Sequence, residues 1–158
     1  MELYRRYAPA LLRKGQRLLQ SRQDAEDVVQ ALFLDLLSRG ETRVDLAYLY
    51  RAVTNRCLNH LRDRSNRARL LALHDEALRG PVRTRCDDRA IGLELLTRLV
   101  EHLDEETTEV LVYRFFDDLG QEEIAELLGV GRKWVLVRLE RIRQAVAALT
   151  REESEVRS

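Results

Sequence analysis

The segment QEEIAELLGVGRKWVLVRLERIRQAV, Gln121–Val146, decides how this chain reads. Its first third sets Ile124, Ala125, Leu127 and Leu128 on one side, the spacing of a short amphipathic helix. Gly129-Val130-Gly131 then predicts a tight turn, because glycine enters positive φ without steric cost. A second helix follows. At about 100° per residue, Val135, Leu139, Ile142 and Val146 fall on one face and are expected to pack inward. Lys133, Val137, Arg141 and Gln144 lie opposite, and Arg132, Trp134 and Arg138 flank them near the N-terminal end. A buried face that fixes the helix, with a basic face outside, is what a helix-turn-helix needs to read a major groove. Arginine grips guanine through paired hydrogen bonds or holds a phosphate, and Val137 could touch a thymine methyl. The competing reading is an ordinary helical hairpin with a solvated basic face.

Helical periodicity extends outward from this segment over almost the whole chain. Helices are predicted near 2–20, 24–38, 46–64 (or on to 78), 89–103, 105–117, 121–128 and 132–149, with no alternating strand pattern. The expected fold is all-α. Gly80-Pro81, inside the mixed-charge stretch Arg79–Asp88, marks the best linker. It separates an N-terminal helical domain, 1–78, from a C-terminal one, 96–150, with 79–95 between them and a frayed tail at 151–158.

Two N-terminal helices carry unusual outer faces. In AYLYRAVTNRCLNHLRDRSNR, Ala47–Arg67, Leu49, Tyr50, Val53, Cys57 and Leu61 share the inner face. Tyr48, Arg51, Asn55, Asn59, Arg62 and Asn66 share the other. Asparagine offers a donor and an acceptor to a base edge, arginine holds phosphate, and tyrosine stacks on an unpaired base. A surface with no ligand would more often carry Lys and Glu. In DAEDVVQALFLDLL, Asp24–Leu37, the inward stripe is Ala25, Val28, Val29, Leu32, Phe33 and Leu36. Asp27, Gln30 and Leu34 face away, with Glu26 and Leu37 at one edge. A leucine set outward among acids suggests a protein-binding face, or a helix buried on more than one side.

Charge supports this division. The 158 residues hold 27 basic and 27 acidic groups, so a uniformly basic polyanion binder is excluded. The balance is local instead. Tyr48–Arg69 holds six Arg against one Asp, Glu101–Glu126 ten acids against one Arg, and Arg132–Arg143 five bases against one Glu. Short basic segments beside acidic ones suit local nucleic-acid contact with protein contact elsewhere. No run of eighteen apolar residues is present, no cleaved signal peptide is expected, and two distant cysteines, Cys57 and Cys86, make no disulfide framework. The cytoplasm is the expected compartment. Cys57 and His60 stand one helical turn apart, but His74 and Cys86 are too loosely placed to complete a zinc site. No metal, cofactor or catalytic set is expected, and the chain does not read as an enzyme.

In this order, the pieces resemble the extracytoplasmic-function sigma factors, the small two-domain promoter-recognition subunits of bacterial RNA polymerase. DAEDVVQALFLDLL is similar to the core-binding helix of sigma region two, and AYLYRAVTNRCLNHLRDRSNR to its promoter −10 helix. LDEETTEVLVYRFFDDLGQEEIAELLGVGRKWVLVRLERIR, from Leu103, resembles region four, whose helix-turn-helix reads the −35 element. The resemblance implies that Asp24, Glu26, Asp27, Gln30, Phe33 and Leu34 dock on the polymerase clamp helices. It implies −10 contacts from Tyr48, Arg51, Asn55, Asn59, Arg62 and Asn66, with Asn55 helping to hold a flipped base. It implies −35 contacts from Arg132, Lys133, Trp134, Val137, Arg138 and Arg141. The implied partners are core RNA polymerase (clamp helices and flap tip), promoter DNA and an anti-sigma factor, without membrane insertion. This chain departs from the family pattern in its short Ser38–Ala47 loop, in Tyr48 where Trp is usual, and in Gly131, Trp134 and Leu136-Val137. The alternative is a stand-alone helix-turn-helix regulator that does not engage core polymerase.

Overall fold

The structure, a computed structural model, describes residues 1–74 and 88–157. Among the described residues seven helices follow one another: α1 (Glu2–Leu19), α2 (Arg22–Ser38), α3 (Leu46–His74), α4 (Asp88–His102), α5 (Glu105–Leu111), α6 (Gln121–Leu128) and α7 (Arg132–Arg157). A π-helical turn, Val112–Phe116, continues α5. No strand occurs among the described residues, and the fold is all-α. The chain divides into two compact units, Met1–Thr97 and Arg98–Ser158, with the division inside α4. Apart from Asp88, the linker predicted at Arg79–Asp88 lies outside the described residues, as does any continuation of α3 to 78.

In the first unit, α1, α2 and α3 bury apolar stripes against one another. Leu11 and Leu18 from α1, Ala25, Val29 and Leu32 from α2, and Leu49, Val53, Cys57 and Leu61 from α3 are all almost fully buried. Ser21 starts α2: its hydroxyl accepts the Asp24 backbone N–H at 3.2 Å. Gly15 lets α1 approach α2 closely, since a Cβ there would stand 3.1 Å from the Ala25 Cβ. Lys14 is buried in α1, and its Nζ sits 3.8 Å from the centre of the Tyr50 ring on α3. At the end of α2 the Glu41 N–H reaches the Leu36 carbonyl at 3.0 Å, and the Gly40 N–H reaches Leu37 at 3.1 Å. That paired pattern stops the helix. Asp45 then starts α3, its Oδ1 accepting the Tyr48 N–H at 2.8 Å.

The second unit is built around α5. Residues 107–113 are buried without a break, and the Tyr113 hydroxyl donates to the buried Glu109 carboxylate at 2.8 Å. The Asp104 carboxylate caps this helix through the Thr107 N–H at 2.8 Å. α7 packs against α5, and α6 packs against α7 and the π-helical turn, with Ile124, Val135, Ile142 and Leu149 inside.

Two predicted boundaries differ. The 105–117 helix is not continuous: from Val112 it widens, the Asp117 N–H bonding five residues back at 3.1 Å, and Phe115 turns outward at 65 % exposure. Of the frayed tail predicted at 151–158, the described residues 151–157 are instead the end of α7. No glycine or proline follows Gly131 to stop the helix. Leu149 is buried, Glu153 pairs with Arg98 of α4, and the Ser154 hydroxyl donates to the Thr150 carbonyl.

Candidate nucleic-acid interface

The polar face predicted on α3 is present. Asp45 fixes where the helix starts, and burial of Leu49, Val53, Cys57 and Leu61 fixes its rotation. Tyr48, Asn55, Asn59 and Asn66 are consequently exposed, and Arg51 and Arg62 half-buried along the same face. The Arg62 Nη1 donates to the Asn59 side-chain oxygen at 3.3 Å, so two members of the face already orient each other. Tyr48 stands 42 % exposed at the beginning of the helix, with its ring available for stacking.

On α2, Asp27, Gln30 and Leu34 point to solvent, while Asp24 and Glu26 are half-buried. Leu34 is 66 % and the neighbouring Leu37 68 % exposed, an apolar pair bordered by polar groups. Phe33 departs from the expected docking set. It is only 8 % exposed, and its ring meets Tyr4 edge-on at 5.0 Å between centroids. The inward stripe of α2 takes it, so it supports the outer face from beneath. The Arg56 guanidinium of α3 holds Asp35 of α2 at 2.9 Å, and His60 Nε2 lies 3.4 Å from Asp24.

In the second unit, Gly129 ends α6 with φ 66°, placing its own N–H on the Glu126 carbonyl and the Val130 N–H on Ala125. At the other end of α6, the Glu123 carboxylate accepts the Gly120 N–H at 2.7 Å. These contacts set where α7 begins. Val135 and Ile142 face inward, Leu139 and Val146 are half-buried, and Arg132, Lys133, Val137 and Arg141 are exposed. Leu136 and Val137, at 42 % and 43 % exposure, make an apolar spot among these bases.

Arg138 does not share that outward aspect. Its side chain is 13 % exposed, its Nη2 donates to Glu106 of α5 at 2.7 Å, and its guanidinium carbon lies 3.2 Å from the Trp134 ring centre. Arg141 is looser, half exposed and 3.5 Å from Asp104. Partial desolvation alone would raise the Asp104 carboxyl. The Thr107 N–H, the Thr107 hydroxyl, Arg141 and Arg138 together outweigh it and hold the group below its ordinary value. Sequence reading placed Trp134, Arg138 and Arg141 on one helix but could not anticipate Asp104 and Glu106 opposite them. The signal available was only that an acidic helix start precedes a basic helix.

Cys57 and His60, one helical turn apart on α3, have different surroundings. The Cys57 thiol is fully buried, and His60 faces Asp24. Among the described residues, no cluster of three or more metal-ligating side chains occurs, and no helix is long and apolar enough to cross a membrane.

No curated protein matches the sequence. Residues 3–67, which span α1, α2 and the exposed face of α3, match the family Sigma-70 region 2. Residues 93–146, which span α5, α6 and the basic face of α7, match Sigma-70, region 4. The chain therefore belongs to the sigma-70 family, in the region 2 plus region 4 architecture of the extracytoplasmic-function sigma factors, and serves promoter recognition in transcription initiation.

Proposed function

We propose that this sigma factor divides its work among three surfaces. The outer face of α2, Asp24, Glu26, Asp27, Gln30 and Leu34, docks on the clamp helices of core RNA polymerase, with Phe33 supporting it from inside. The α3 face of Tyr48, Arg51, Asn55, Asn59, Arg62 and Asn66 takes the −10 element. Arg132, Lys133, Val137 and Arg141, with Trp134 beside them, enter the major groove at −35. The polymerase-binding and −10 module is 1–78 and the −35 module 96–150, with 79–95 joining them in sequence.

The observation that supports this best is the Asn and Arg face of α3. Three exposed asparagines lie along one side of a helix whose other side is packed in the core. Such a face suits unpaired bases more than water alone. As the duplex opens, extruding a base costs roughly a few kcal/mol. Side-chain contacts and stacking on Tyr48 offset that cost. The polymerase performs the chemistry, and this chain supplies binding and orientation in the cytoplasm. An anti-sigma factor that covers the DNA-binding faces would hold it inactive.

The test is run-off transcription with core RNA polymerase on a genomic fragment library, with and without this protein. New start sites sharing −35 and −10 motifs are expected. Salt-sensitive duplex binding with no initiation would sink the polymerase-docking assignment of Asp24–Leu37.

A further inference from the structure

We infer that Arg138 is a positioning residue for Trp134 and makes no phosphate contact of its own, an inference that rests on the −35 reading of α7 above. A phosphate-binding arginine must bring its guanidinium to the surface. This one is 13 % exposed and already occupied: Nη2 donates to Glu106 at 2.7 Å, Nη1 lies 3.4 Å from the Trp134 carbonyl, and the plane covers the Trp134 ring. Its Nε is buried and finds no hydrogen-bond acceptor among the described residues. Turning out toward DNA would break both the ion pair and the stack at once.

The same contacts give the residue a different task. Trp134 is the third residue of α7, in the turn that a recognition helix presents to base edges. An indole at that point has two side-chain torsions and little intrinsic reason to hold one pose. The guanidinium closes one ring face, and Glu106, from α5, closes off the guanidinium. The series Glu106, Arg138, Trp134 thus anchors a DNA-facing ring to the central helix of its unit. Lysine could not replace Arg138 here, because an ammonium neither stacks as a plane nor reaches Glu106 and the ring together. More exposed bases of α7, among them Arg132, Lys133 and Arg141 with its looser 3.5 Å pairing to Asp104, remain for phosphate and base contact.

The experiment compares holoenzymes assembled from core polymerase and the full chain carrying Arg138→Ala, Arg138→Lys or Glu106→Ala. Each is assayed for binding to promoters randomised through the −35 element, over a series of salt concentrations. In the free full chain, whose single tryptophan is Trp134, emission is recorded alongside. All three variants are expected to relax −35 base discrimination by about fivefold or more, the scale of one lost base contact. The salt slope should stay unchanged and the tryptophan emission should shift in each. A slope reduced by about one in Arg138→Ala and restored in Arg138→Lys would make Arg138 a phosphate ligand and overturn the inference. Tighter DNA binding by Glu106→Ala would make Glu106 a competitor of DNA, and unaltered base preference in all three would remove any positioning role. Wild-type protein that forms no initiating holoenzyme would instead sink the promoter reading on which the inference stands.

Discussion

The Arg56 guanidinium donates to the Asp35 carboxylate at 2.9 Å and so ties α3, with its asparagine face, to α2, with its exposed leucines. Both side chains are about one-third exposed, and Arg39 reaches the same carboxylate at 3.1 Å. Asp35→Ala is expected to destabilise the first unit by about 1 kcal/mol, the upper range for a partly solvated pair. Thermal unfolding of Asp35→Ala, Arg56→Ala and the double variant checks this. Fully additive losses would mean that the pair contributes nothing beyond its separate members.

Leu34 and Leu37 should matter to binding and not to folding. Their exposure means that replacement removes almost no core contact. Leu34→Glu combined with Leu37→Glu is expected to leave the unfolding midpoint within about 0.5 kcal/mol of wild type. Core polymerase affinity should fall by about tenfold or more, as when an interface anchor is lost. Titration against core polymerase measures it, and unchanged affinity would remove α2 from the docking surface.

Gly129 holds φ 66° between α6 and α7. Its added Cβ would meet nothing within 4 Å, so any penalty for a substitution is conformational and not steric crowding. Gly129→Ala is expected to cost roughly 1 kcal/mol, and Gly129→Asn less, since asparagine tolerates the left-handed region better. Chemical denaturation of the three proteins should rank them in that order. Equal stability of Ala and Asn variants would show that the turn relaxes.

Cys57 is buried beside Val53 and Leu61 in the α3 stripe, and burial pushes its thiol up to about 12 from an ordinary 9.0 despite the nearby Lys14. Below pH 9 the thiol is neutral in folded and unfolded chains alike. Between about 9 and 12 only the unfolded chain ionises, so stability falls with rising pH by about 1.4 kcal/mol per unit from this group. Cys57→Ala should flatten that part of the stability curve relative to wild type. In a Cys86→Ser background, native protein at pH 8 should react with a thiol reagent only at the rate of unfolding.

Asp104 works in the opposite direction. Its folded value is lowered, so its contribution is present above 3.8 and is lost as pH falls through the folded value. Asp104→Asn should therefore reduce stability at neutral pH and weaken the acid-side decline below about pH 4. Unfolding midpoints at pH 3 and pH 7 decide it: an equal gap between variant and wild type at both would exclude the linkage.

How much of this was legible in the residues differs by level. Helix positions followed from periodicity because an amphipathic stripe has to be buried somewhere, and α6 begins and ends where Gly120 and Gly129 place it. The outer faces of α2, α3 and α7 followed as the complements of those stripes. Boundaries governed by distant partners did not. The last turns of α7 carry the Arg98–Glu153 pair, whose distant member no local pattern names, and the break after α5 is a π-helical turn that no local signal announced.

The sequence by itself determined an all-helical chain, two regions of sigma-factor type, and the set of side chains that each helix turns away from its core. Spacing along a helix is local, so these needed no knowledge of neighbours. Tertiary structure alone decided which of those side chains are free to act. Asp24 is faced by His60, Asp35 is held by Arg56, and Arg138 by Glu106 and Trp134, because each helix face ends at a neighbour whose approach no single-helix pattern encodes.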